Sequence, residues 1–67
     1  MTPTRFLATL EALGWSQRHL ASLLQCDTNL PTRWATGRAV VPPALARWLD
    51  TLAACHAAHP VPDWRQR

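Results

Sequence analysis

The side chains able to do chemistry in this 67-residue chain fall into three sets. The first is a polar series between positions 17 and 38: Gln17, Arg18, Thr28, Asn29, Thr32, Arg33 and Arg38. An Asn amide can engage adenine N6 and N7 together, an Arg guanidinium can fork onto guanine or phosphate, and a Thr offers both a hydroxyl and a methyl. The second set is sulfur and imidazole, Cys26, Cys55, His19, His56 and His59. His56 and His59 stand three apart and meet on a helix, but zinc takes four ligands or three plus water, and His19 and Cys26 belong to a different helix and its turn. Two cysteines are too few for a disulfide framework. The third set is the four acids Glu11, Asp27, Asp50 and Asp63, which are scattered and accompanied by no Gly-rich phosphate loop or nucleophile elbow. No catalytic constellation, metal site or cofactor is expected.

The chain must bury enough apolar surface to hold these groups in place. Hydrophobic residues make up 48% and charged residues 16%, too apolar for disorder, yet no unbroken apolar run approaches the roughly 20 residues of a membrane span. A chain this short forms one domain at most. Eleven Ala and ten Leu against three Val, no Ile and no Tyr favour helix over strand. The net charge is +3, and all seven basic side chains are Arg. This suits an anionic partner, because Arg matches phosphate and guanine edges, and it is equally what a GC-rich coding sequence produces. The N-terminus lacks the apolar stretch of a signal peptide, so a reducing cytoplasm is the expected location.

Periodicity and capping signals predict four helices. Thr2 and Pro3 open the first, over Pro3–Leu13, with Phe6, Leu7, Leu10 and Leu13 on one face and Gly14 ending it. Ser16 opens the second, over Ser16–Gln25, with Leu20, Ala21, Leu23 and Leu24 as its buried stripe and Trp15 packing as a staple on Leu20. His19 stands where a capping box has Glu or Gln. Asp27 caps a third helix of about nine residues, 28–36, closed by Gly37. Pro31 is comfortable only in a first turn, so this helix can begin as late as Asn29. An extended connector follows, then a fourth helix over Pro43–Ala58 with Leu45, Trp48, Leu49, Leu52 and Cys55 in line. Trp34 and Trp48 lie on apolar stripes and are expected in the core, whereas Trp15 and Trp64 suit either a helix junction or an interface. Residues 1–59 thus form the folded unit and 60–67 a tail begun by Pro60 and Pro62.

Two short helices joined by little more than Cys26 and Asp27 read as a helix-turn-helix. The pattern Ser16-Gln17, Leu20-Ala21, Leu24, Cys26-Asp27, Arg33-Trp34 and Gly37 resembles the lambda-repressor-like, Cro/C1-type (XRE) family of phage and bacterial regulators. The likeness covers about residues 5–55 and is most specific over 16–37. It implies an all-α, compact bundle of four or five helices, with the third helix entering the major groove of double-stranded DNA and the second crossing the backbone. Leu20, Leu24 and Trp34 match core positions, and Ala21 matches the small residue where the two helices touch. Gln17 matches a position that contacts phosphate or braces the reading residues, and Thr28, Asn29, Thr32 and Arg33 match the outer face of the third helix. Arg38 and Arg18 are placed for phosphate, and first-turn amides of both helices are candidate phosphate sites. Three residues depart from the pattern: Gln25 stands where the family has Gly, so that either it adopts a left-handed conformation or the turn is reshaped, Cys26 replaces a small apolar residue, and Pro31 replaces a core aliphatic.

The expected activity is that of a transcriptional regulator reading duplex DNA. A single module offers little binding surface, so a homodimer through the end of the fourth helix and the tail is expected, using Leu52, His56, Val61 and Trp64. A protein-interaction module without groove function is the alternative, favoured by Pro31 and the modest charge.

Overall fold

The computed structural model describes residues 1–62, which form four helices and no strand: α1 (Pro3–Leu13), α2 (Gln17–Leu24), α3 (Asn29–Thr36) and α4 (Pro43–Ala58). Their boundaries trace to local caps. Thr2 Oγ1 accepts from the Arg5 amide at 3.1 Å and Ser16 Oγ from the His19 amide at 3.0 Å. Each thereby satisfies one of the amides that a helix start leaves without a partner. Ser16 and Gln25 flank α2 as its caps instead of belonging to it, a one-residue trim at each end.

The first three helices end alike. Gly14, Gln25 and Gly37 all hold φ between 55° and 80°, and the residue after each donates its amide back to the last turn. Trp15 donates to Leu10 O at 2.9 Å, Cys26 to Ala21 O at 3.0 Å and Arg38 to Arg33 O at 2.9 Å. Gly14 and Gln25 add the inner bond of a Schellman motif, to Glu11 O and Ser22 O, whereas Gly37 donates to Arg33 O; Gln25 does so with φ 55° and ψ 44° despite carrying a side chain. Of the two alternatives there, the left-handed conformation is the one adopted.

Pro31 does not break α3. An ordinary residue at this position would donate its amide to Asp27 O four residues back. That carbonyl instead accepts from the Leu30 amide at 3.1 Å, so the missing donor orphans nothing. The Pro31 ring is fully buried and fills the site that an aliphatic side chain would.

The core is Phe6, Leu10, Leu20, Ala21, Trp34, Val41 and Leu49. Phe6 and Trp34 meet edge to face with ring centroids 5.7 Å apart, which fastens α3 to α1. The central helix is α1, packed against both α3 and α4, while α2 packs against α3. The buried Thr9 hydroxyl donates to Arg5 O at 2.7 Å. Arg5 also pairs with Asp50 of α4 at 3.2 Å, a solvent-exposed bridge worth on the order of 0.5 kcal/mol.

The apolar stripes are narrower than their periodicity suggests. Trp48 is 40% exposed and not a core residue. It lies against Trp15, with ring centroids 5.9 Å apart, and Trp15 in turn meets His19 edge to face. Leu7 and Leu23 are exposed as well, whereas Val41 of the connector is buried in their stead. The reason is geometric. A helix that meets its neighbours through one arc buries only that arc, and α4 spends its own on Leu45, Ala46 and Leu49. Leu52 and Ala53 are half-buried, and every residue from Ala54 to Pro62 is exposed, so the end of α4 runs free of the other helices. No described helix is long and apolar enough to cross a membrane.

Candidate nucleic-acid interface

Helix α3 divides cleanly into two faces. Leu30, Pro31, Trp34 and Ala35 turn inward, while Asn29, Thr32, Arg33 and Thr36 turn outward at the spacings of three and four that keep side chains on one helical face. The outward four, with Arg38 from the turn after α3, line one concavity of about 400 Å³. The burial of Trp34 and Pro31 fixes this orientation, since rolling α3 outward would expose both.

Four of the seven residues expected from sequence are gathered here: Asn29, Thr32, Arg33 and Arg38. Gln17 is joined to them indirectly. It opens α2, and its Oε1 accepts from Thr32 Oγ1 at 3.1 Å, a bond that ties the start of α2 to the middle of α3. Thr28 is exposed at the start of α3, does not line the concavity, and its side chain makes no capping bond. Arg18 is exposed on α2 and does not line the concavity. Thr36 belongs to the site and was missing from the expected set. It follows Asn29, Thr32 and Arg33 at intervals of seven, four and three, which was the available signal.

The electrostatics are mixed. Arg5–Asp50 is the ion pair found among the described residues, so Arg18, Arg33 and Arg38 have no carboxylate partner there. Asp27 opposes them. Its Oδ1 accepts from the Asn29 amide at 2.8 Å, so the start of α3 already carries a carboxylate. At the first-turn amides of α3, one of the two expected phosphate sites, an anion would face a fixed negative charge and find one donor taken. At α2 the neutral Ser16 takes one amide and adds no charge.

The threonine hydroxyl hydrogens are also committed internally. Thr32 Oγ1 lies 3.1 Å from Thr28 O as well as from Gln17 Oε1, and Thr36 Oγ1 lies 3.0 Å from Thr32 O and 3.3 Å from Arg33 O. Asn29, Arg33 and Arg38 remain as side chains whose donors are not used within the described chain. Together they offer an amide and two guanidinium groups on one concave surface, a set matched to acceptors on base edges and phosphates.

Cys26 and Cys55 are both free thiols, and no group of three or more His, Cys, Asp or Glu among the described residues is arranged to hold a metal. Comparison with protein-family models, with curated proteins and with solved structures finds no match to this chain.

Proposed function

We propose that the chain is a sequence-specific, double-stranded-DNA-binding transcriptional regulator of the lambda-repressor-like helix-turn-helix type. The observation that carries this reading is the outer stripe of α3, Asn29, Thr32, Arg33 and Thr36, joined by Arg38 around one concavity and backed by the buried Pro31 and Trp34. A helix held firmly from behind with donors in front is suited to insertion in a major groove. In this reading Asn29 and Arg33 contact base edges, Arg38 and Arg18 contact phosphates, Thr28 lies at the leading end of the inserted helix, and Gln17 braces Thr32.

Two copies supply the surface that one module lacks. The free end of α4 and the tail after it are the proposed contact, with half-buried Leu52 and exposed His56 on the helix and exposed Val61 beyond it. Trp64, the fourth residue of that proposal, lies outside the described residues. A monomer at tens of micromolar in sedimentation velocity would remove the homodimer from the proposal.

Selection of duplexes from a random pool, followed by titration of the winner, tests the DNA reading. With Arg18 and Arg38 on phosphates in each of two copies, log K should fall against log salt with a slope of about −4, at roughly −0.9 per contact. Arg38→Ala should halve that slope, while Arg33→Ala, which removes one base contact from each copy, should cost about 30-fold or more and relax preference at one base pair of each half-site. No duplex enriched, or binding indifferent to both substitutions, overturns the reading.

A protein-interaction module is the second reading, and the exposed Trp48 beside Trp15, with Leu7 and Leu23, favours it. Under that reading Trp48→Ala abolishes partner capture and Arg33→Ala leaves it unchanged.

A further inference from the structure

The hydrogen bonds of Thr32 and Thr36 bear on what the outer face of α3 can recognise. A threonine hydroxyl has one hydrogen. For Thr32 both acceptors in reach, Gln17 Oε1 and Thr28 O, belong to the protein, and for Thr36 both are carbonyls of its own helix. Donation to a base would forfeit one of these bonds without adding to the total. The oxygens are thus drawn against the helix backbone and toward α2. On a β-branched residue the methyl stands about 120° around χ1 from the oxygen, so fixing one branch fixes the other. Both residues nonetheless line the concavity.

We propose that Thr32 and Thr36 read duplex DNA through their methyl groups, by apolar contact with the C5-methyl of a pyrimidine in the major groove. This rests on the DNA reading above and specifies what that site prefers. The ligand chemistry is a C5-methyl, which thymine and 5-methylcytosine both present and cytosine lacks. Residues four apart on a helix face have Cβ atoms about 5–6 Å apart, against about 3.4 Å per base step along one strand, so the two methyls reach pyrimidines one or two steps apart. Gln17 acts here as a positioning residue: its carbonyl oxygen holds the Thr32 hydroxyl away from the base, and so holds the methyl in one rotamer. The site then divides its labour, with hydrogen-bond readout by Asn29 and Arg33 and apolar readout by the two threonines.

The test uses the full chain and the duplex selected above. Each thymine is replaced in turn by deoxyuridine, which removes the methyl alone, and Kd is measured by fluorescence anisotropy. One or two positions in each half-site should weaken binding about fourfold each, the ratio expected for one buried methyl-sized group. At those positions a T·A to C·G exchange followed by 5-methylation of the cytosine should recover about fourfold. The thymine-to-uracil ratio is then read in two double variants whose helical CD confirms folding. Thr32→Val/Thr36→Val keeps both methyls and should keep the ratio, even if overall affinity drops with the bond to Gln17. Thr32→Ser/Thr36→Ser keeps both hydroxyls and should bring the ratio to one. A ratio of one at every thymine for the unmodified chain overturns methyl reading while leaving DNA binding intact. So does a ratio that persists in the serine variant or vanishes in the valine variant. If no duplex is enriched at all, the inference falls together with the reading beneath it.

Discussion

Substituting Gln25 by Gly should stabilise the protein, because this residue holds φ 55° and ψ 44° at the end of α2 and its side chain makes no hydrogen bond among the described residues. An L-residue in this region carries about 1–2 kcal/mol of strain, and the extra freedom of Gly in the unfolded chain offsets about 0.5–1 kcal/mol of the relief, leaving a net gain of about 0.5–1 kcal/mol. For a domain of this length each kcal/mol moves Tm by about 4–8 °C, so Tm should rise by about 2–8 °C. Thermal unfolding followed at 222 nm measures this directly, with Gly14→Ala as the mirror experiment. Gly14 has φ 72°, and a Cβ built there meets nothing within 4 Å, so its substitution should cost about 1 kcal/mol from the backbone alone. A Gln25→Gly variant no more stable than the parent, beside a Gly14→Ala variant that does lose stability, would refute the left-handed assignment of Gln25. Duplex affinity should be unchanged in the Gln25 variant, since the turn keeps its shape and α3 its pose.

Burial sets the contrast between two leucines. Leu49→Ala empties a site with 0% exposure and should cost about 2–5 kcal/mol in urea unfolding, whereas Leu23→Ala, at 49% exposure on a predicted apolar stripe, should cost about 0.5 kcal/mol or less. Equal costs would contradict the orientation of α2. Asp27→Asn keeps an oxygen able to accept from the Asn29 amide and removes the charge, so it should cost about 0.3–1 kcal/mol through the helix dipole. The same substitution should tighten duplex binding severalfold at low salt, and an unchanged or weaker affinity would show that Asp27 does not oppose the phosphates.

What could be read before folding was whatever neighbouring residues decide among themselves. Thr2, Ser16 and Asp27 each place an oxygen two or three residues ahead of an unpaired amide, and Gly14 and Gly37 end helices through their own φ. The left-handed geometry of Gln25 was suggested only by the resemblance, which has Gly at that position and left a reshaped turn open; the folded chain adopts the left-handed form. The outward stripe of α3 was legible too, since a period of 3.6 separates Asn29, Thr32 and Arg33 from Pro31 and Trp34.

Packing decided the rest. Trp48 and Leu23 match the apolar period of their helices, yet the arcs that α2 and α4 turn to their neighbours are too narrow to cover them, and Val41 fills the core from a connector with no period at all. Gln17 and Thr32 lie fifteen residues apart, so their bond depends on how α2 and α3 are set against each other. That bond, together with the carbonyls of α3 itself, determines which branch of each threonine is tied down within the chain. A one-dimensional pattern can assign a residue to a face, but which of its atoms is left unengaged depends on neighbours brought close by the folded chain.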